Sequence, residues 1–491
     1  MNTNRRSFIL GASALCASPV LVSGCAGRRF AANELVRVAL VGCGRIAWDF
    51  EVPNVIACPD LARLVAVCDL DSVRANLMKR RIEGDYRALG DGFRGQTVDV
   101  YRDYKEMLAR KDIDAVMICL PDFWHALVAS TAICSGKSVW LQKPFTQTIR
   151  EGRILANLAR RYNTVLQVGS QQRSWSNFGT VVKAVREGRL GAIRRVEVGV
   201  SKDEPGGSII AEPVPKTFDY ETWLGPTDPT VPYNQTRCHM QGEGNIQERP
   251  GWITIAPYGW GMITNWGAHH VDVAQWGLGA ENSGPDSVSG TCTWLDQTGG
   301  KLWNVHETYD LHYSYFGGKT DVHVCNKYQC GVKFIGEKGD WLFCSRGSAK
   351  VTASDPDIPV KPGELPGVAA SCPELLPELD DSFGLTSARA MHQHVRNWLT
   401  AVLAQDPSLT RTSAERAHRS TSACSLGQMC MTLGCGRKDG FSLKWDPVHE
   451  TTGLAEADAL MKPLARDKFD LRINLSEFGL DLRDILQDGL S

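Results

Sequence analysis

A nearly continuous apolar run rich in β-branched residues, Val36 to Val41, breaks at Gly42-Cys43-Gly44-Arg45-Ile46-Ala47, and few folds accommodate that junction. The run has the pattern of a parallel strand buried on both faces. Gly42 permits the tight turn after it, Gly44 lets backbone approach a pyrophosphate, and the N-terminus of the next helix faces the phosphates. A second apolar strand, Leu64 to Cys68, ends at Asp69, at the spacing where a carboxylate accepts hydrogen bonds from adenosine ribose hydroxyls. Together these features predict a nicotinamide-dinucleotide site built on Gly42, Gly44, Arg45, Ile46 and Asp69. Asp69 would repel a 2′-phosphate and so favours NAD, whereas Arg74 keeps NADP open.

The chain then alternates strand and helix. Residues 115–120 run into Pro121-Asp122-Phe123-Trp124-His125, residues 138–141 into Gln142-Lys143-Pro144, and residues 164–168 into Gly169-Ser170-Gln171-Gln172-Arg173. Such alternation predicts an α/β fold with a doubly wound parallel sheet. Ligands of such sheets sit at the carboxyl ends of the strands, so Lys143 is expected to point into the crevice.

At 491 residues the chain exceeds what one hydrophobic core organises, and at least two domains are expected. A formal net charge of -1 supplies no basic field, which argues against nucleic-acid or anionic-membrane partners. The N-terminus reads as an export signal, with Arg5-Arg6 ahead of an apolar run from Phe8 to Val22. It resembles a twin-arginine signal, and Val22-Ser23-Gly24-Cys25 resembles a lipobox, so the twin-arginine machinery is an expected partner and Cys25 an expected lipid anchor. An exported protein, periplasmic or on the outer surface, follows. Residues 1–33 are therefore set apart as signal and linker, leaving 34–170 to bind nucleotide, 171–468 to bind substrate, and 469–491 as an amphipathic extension. Of 16 cysteines, 14 lie beyond that signal, without zinc-like spacing, so no metal is expected. Cys325/Cys330 and Cys430/Cys435 are the close pairs worth considering as disulfides.

Four segments, the glycine loop, Pro121 to His125, Gln142-Lys143-Pro144 and Val168 to Arg173, resemble the Gfo/Idh/MocA oxidoreductases. Gly261 to Asp272, which contains Asn265-Trp266-Gly267-Ala268-His269-His270, resembles that family's active-site helix. The resemblance spans nearly everything after residue 34. It implies a Rossmann domain followed by an α+β domain with an open, largely antiparallel sheet, through which copies of the chain would pair into a homo-oligomer. It also implies Lys143 as the substrate-facing acid/base, His269 as the catalytic histidine, and Asp272 as the next acid along that helix. Pro121, Asp122, His125 and Gln171 are placed near the cofactor, and Arg173, Arg237, His239, Asn265 and His270 near the substrate. Two positions depart from the family pattern, because Gln142 stands where a glutamate is common and Asn265 where an aspartate is common.

The chemistry implied is hydride transfer between a sugar-like carbohydrate and nicotinamide, with Lys143 or His269 taking the hydroxyl proton. Outside the cytoplasm there is no large pool of free NAD, so the cofactor is expected to stay tightly bound between turnovers. Two enzymatic outcomes remain open: net sugar oxidation, or a redox-neutral glycoside cleavage by oxidation, elimination, hydration and re-reduction. A surface lipoprotein that binds nucleotide and sugar without turnover is the reading from another class.

Overall fold

The computed structural model describes residues 30, 34–238, 251–295, 298–347, 367–376, 378 and 383–488. The twin-arginine stretch, Cys25 and His239 lie outside the described residues. Six parallel strands form the first sheet: β1 (Val36–Val41), β2 (Ala62–Cys68), β3 (Asp99–Tyr101), β4 (Ala115–Ile118), β5 (Ser138–Leu141) and β6 (Leu166–Val168). Their order is β3-β2-β1-β4-β5-β6, the doubly wound topology, and the order reverses between β1 and β4. All four residues of β4 are buried, as their apolar sequence requires when helices cover both faces.

A second sheet of eight strands follows, made of β7 (Ile193–Gly199), β8 (Ser287–Trp294), β9 (His306–Tyr315), β10 (Thr320–Cys325), β11 (Gly331–Gly336), β12 (Trp341–Cys344), β13 (Val368–Ala370) and β14 (Phe441–Lys444). Its order is β13-β12-β11-β7-β10-β9-β8-β14. Only β7 and β10 pair in parallel; the other neighbours are antiparallel, as expected. Alternate residues of β9, Leu311, Tyr313 and Tyr315, enter a core shared with the helices Gly267–Leu278 and Ala414–Leu433. The opposite face is polar and carries Asp310, His312, Ser314 and Asp321.

Two late segments return to the nucleotide-binding half. In the helix Ser387–Ala404, Trp398 packs on Trp140 of β5 with ring centroids 5.7 Å apart. The C-terminal helices Leu471–Ser476 and Leu482–Gln487 lie against the helices His125–Cys134 and Ile149–Arg161. There the Asn474 amide donates to Thr131 Oγ1 at 3.0 Å and the Asn157 amide donates to the Ile485 carbonyl at 2.7 Å. The extension is thus docked through satisfied buried polar groups.

All described cysteines are free thiols, including Cys325, Cys330, Cys430 and Cys435, so neither candidate disulfide forms. Most are buried and fill apolar space as small hydrophobic side chains. Among the described residues no helix is long and apolar enough to cross a membrane.

Candidate functional site

At the reversal in strand order lies a cavity of about 590 Å³. Gly42, at φ +91°, forms its floor, and a Cβ there would strike the backbone carbonyl of Cys119 at the end of β4. Only glycine fits this close approach. Gly44, Arg45 and Ile46 continue the wall, and the chain turns helical at Arg45, which aims backbone N–H groups at the cavity. Asp69 lies opposite, where its carboxylate accepts the Cys43 N–H at 2.7 Å and the Asp71 N–H at 2.8 Å. Burial raises its pKa above the usual aspartate value, against the pull of those N–H groups and Arg74. Arg74 also lines the cavity and pairs with Asp71 at 3.8 Å. A glycine cradle with no room for a side chain, a helix start and a carboxylate at the end of β2 fit a dinucleotide.

Pro121, Asp122, Gln142 and Lys143 line the same cavity from the ends of β4 and β5, and Asn265 lines it from the second half. Lys143 Nζ donates to the Asn265 carbonyl at 3.2 Å, which ties the amine to the turn preceding the helix Gly267–Leu278. Burial pushes the Asp122 carboxyl up to about 8, and the Lys143 ammonium pulls it back. His269 is 6% exposed on the first turn of that helix, and its Nδ1 has no hydrogen-bond partner among the described residues. Burial drives its pKa well below the ordinary histidine value, with further lowering from Arg346 and Lys143. Burial thus favours the neutral imidazole; its unpartnered Nδ1 is itself buried, and His269, unlike Asn265, is not among the residues that line the cavity.

Other named residues serve the frame. His125 is fully buried and does not line the cavity; its Nδ1 meets the Pro144 carbonyl at 2.9 Å and its Nε2 the Leu120 carbonyl at 3.0 Å, so it braces the two loops that carry Asp122 and Lys143. His270 turns the other way, with Nδ1 on the Gly199 carbonyl at 2.8 Å. Arg173 forms a two-pronged pair with Asp272 at 2.7 and 2.9 Å and a third contact with Glu281 at 2.6 Å, all away from the cavity lining. Asp272 is thereby committed to Arg173 and to the Ser420 hydroxyl at 2.6 Å. Arg237 bonds the Tyr220 phenol at 3.2 Å and the Pro232 carbonyl, bracing its own loop.

Glu51 was not legible as a site residue. After Arg45 and Ile46 the helix widens into a π-turn at Ala47–Glu51 before Val52–Ile56 resumes α geometry, and Glu51 is 1% exposed. The amide nitrogens of Gln142 and Gln171 both donate to Glu51 Oε1, the latter at 3.2 Å. A buried carboxyl therefore stands behind Gln142, although residue 142 itself carries none. Burial raises the Glu51 pKa to about 8. Because the folded value exceeds the unfolded one, the protonated side chain favours folding fully below about pH 4.5, and that advantage is lost as pH rises to about 8. Glu51→Gln should hence become progressively more stable than the parent across that interval, as read from denaturant midpoints at each pH. A stability difference flat with pH would contradict the buried neutral acid.

The rim of the cavity also comes from remote segments: Phe218, Asp219 and Trp223, and Lys468 with Phe469. Ser72 N–H donates to the Thr217 carbonyl at 3.0 Å and Asp219 N–H to the Leu70 carbonyl at 3.1 Å, so residues 217–219 are laced to the loop after Asp69. Phe469 meets Trp124 edge-on at 5.4 Å. These contacts join parts of the chain more than 100 residues apart, which no local motif reports.

Comparisons with known proteins agree with this geometry. Residues 36–170 match the family model for Gfo/Idh/MocA oxidoreductases, NAD-binding Rossmann fold, and residues 205–337 match the C-terminal alpha/beta domain of the same oxidoreductase family. An uncharacterised oxidoreductase of Schizosaccharomyces pombe is 29% identical over 167 residues, 34% of this chain and 42% of the relative. Inositol 2-dehydrogenase of Rhizobium meliloti is 31% identical over 163 residues, 33% of this chain and 44% of the relative. The chain thus spans less than half the length of these curated relatives. The crystal structure of the WlbA dehydrogenase from Chromobacterium violaceum, in complex with NADH and UDP-GlcNAcA, shares the fold with a TM-score of 0.58 at 18% identity, covering 85% of this chain and 99% of that one.

Proposed function

The chain belongs to the Gfo/Idh/MocA oxidoreductase family, and from that premise we propose that it is an exported oxidoreductase that moves hydride between a sugar hydroxyl carbon and a tightly held nicotinamide cofactor. The observation that carries this reading is the placement of the Lys143 amine in the same cavity as the Gly42 cradle and Asp69. Gly42, Gly44, Arg45, Ile46 and Asp69 would hold the dinucleotide, with Asp69 favouring NAD. When bound, that group supplies the hydride acceptor.

The protein's own residues handle the proton. Lys143 is fixed by the Asn265 carbonyl, so its amine is positioned to accept or return a proton at the sugar hydroxyl. His269 is the second candidate acid/base; it lies outside the cavity lining, on the helix that follows Asn265, so its use would require that helix to approach the substrate. His125 keeps the two strand-end loops in register behind them. Trp124, Trp223, Trp252 and Phe469 line the cavity and would shield the reacting atoms from water once substrate is bound.

Retention of the cofactor would draw on the same rim, where residues 217–219 are laced to the loop after Asp69 and Lys468 and Phe469 line the cavity. Export and anchoring through Cys25 rest on the Arg5-Arg6 signal and the Val22 to Cys25 motif. The test is to denature the purified protein, measure released NAD and NADP, and assay sugars with an electron acceptor and aryl glycosides without one. Stoichiometric NAD with acceptor-dependent oxidation supports the proposal. Acceptor-free glycoside cleavage would replace it with the redox-neutral reaction, and absence of nucleotide would overturn the tight binding.

A further inference from the structure

The polar face of the second sheet carries a cluster unrelated to the cavity. Asp310 and His312 alternate along β9, and His323 and Cys325 alternate along β10, so each pair projects to one face. The antiparallel register sets Cys325 opposite Asp310 and His323 opposite His312, which brings all four into a two-by-two patch. His323 Nε2 lies 2.7 Å from Asp310 Oδ1, His312 Nε2 3.5 Å from the same oxygen, and Cys325 Sγ 3.8 Å from Asp310 Oδ2. The two imidazoles stack with centroids 4.1 Å apart.

We propose that Asp310, His323 and Cys325 form a binding site for a divalent transition-metal ion of the zinc class, clamping β9 to β10. One ligand atom from each lies within 4.8 Å of the other two, and a thiolate, an imidazole and a carboxylate are the mixed sulphur, nitrogen and oxygen donors such ions take, with water in the fourth position. His312 stands beside the site: its ring plane is 9° from that of His323 and 4.1 Å away, so the two in-plane lone pairs do not converge on one ion. Bonds of about 2.0–2.3 Å in a tetrahedron put neighbouring donors roughly 3.3–3.8 Å apart, and the Asp310–His323 pair, now at 2.7 Å, opens by about 1 Å or less when its hydrogen bond gives way to the ion.

The surroundings supply the outer contacts such a site uses. The Tyr328 phenol lies 2.6 Å from His323 Nδ1, where it can accept the ring proton once Nε2 binds the ion. Arg195 Nη2 also donates to that phenol at 2.7 Å; its present 2.5 Å approach to Nδ1 is relieved by turning fully onto the phenol. The Lys327 backbone N–H points at Cys325 Sγ at 3.5 Å, which stabilises a thiolate.

The test uses the full-length purified protein, stripped with a chelator, desalted, and titrated with Zn²⁺ or Co²⁺ alone. The expected result is one ion per chain by elemental analysis, and for cobalt a thiolate charge-transfer band in the near-ultraviolet. Cys325→Ser should abolish that band, and Tyr328→Phe, which removes the phenol beside His323 Nδ1 but none of the donors, should weaken binding by roughly 10-fold or more. Less than one ion per chain in the parent protein overturns the site, as does stoichiometric cobalt whose spectrum is unchanged by Cys325→Ser. Nucleotide content, measured on the same samples, reports the cavity separately from this site.

Discussion

Lys143→Met is expected to lower kcat by roughly 10²- to 10⁴-fold, the usual contribution of a positioned acid/base group, while the protein keeps its nucleotide. The amine lines the cavity and donates to the Asn265 carbonyl, and the nucleotide cradle at Gly42 and Asp69 has no part in that bond. Removing the cation also takes away the influence that holds the Asp122 carboxyl down, so the carboxyl shifts further toward its neutral form. Methionine fills the space of the lysine stem. Single-turnover rates on the nucleotide-loaded protein, together with nucleotide released on denaturation, check both halves. Turnover within about 10-fold of the parent would move the proton transfer to His269. Loss of nucleotide with loss of rate would mean that Lys143 holds the cofactor first.

Arg173→Met is expected to destabilise the fold by about 3–5 kcal/mol, the cost of breaking a buried ion pair from one side. Its guanidinium side chain is 3% exposed and Asp272 1%, and the substitution leaves the Asp272 carboxylate with the Ser420 hydroxyl at 2.6 Å. Arg173 also lies over the Trp276 ring at 5.1 Å, so packing is lost with the charge. Denaturant midpoints measure the loss, and the double variant Arg173→Met/Asp272→Leu should recover much of it, because the buried Asp272 charge leaves with its partner and Glu281 keeps Arg416 at 3.4 Å. If Arg173 instead contacted substrate, KM would rise with an unchanged midpoint. The resemblance placed Arg173 at the substrate, yet the structure pairs it with the helix that carries His269, where it acts on the position of that helix.

Much of the nucleotide-binding half was legible because its information is local. A strand buried on both faces must be apolar along its whole length, and Val36 to Val41 is. A turn whose Cβ would strike a carbonyl must be glycine, and residue 42 is. Lys143 could be placed in the crevice because strand ends at one edge of a parallel sheet necessarily face it. The two family departures, Gln142 and Asn265, were visible as letters, but their consequence was not: Glu51, nearly 100 residues upstream, supplies the buried carboxyl behind Gln142. Likewise His125 and His270 carry the same letter as His269, and only the structure shows both spent on backbone carbonyls while His269 Nδ1 is left without a partner among the described residues.

By itself the sequence determined the fold class, the cradle and the lysine, since each follows from burial, chirality or strand polarity within a few residues. The tertiary structure alone decided which polar side chains pair with one another. It committed Arg173 to Asp272, brought Phe469 from the C-terminal segment to the cavity rim, and set Asp310 and His312 against Cys325 and His323. The metal-like cluster had no signature in spacing because its donors alternate on two strands, and a register shifted by one residue would send part of them to the other face. Side-chain pairing across long loops depends on where the backbone closes, and that is set by the packing of the whole chain.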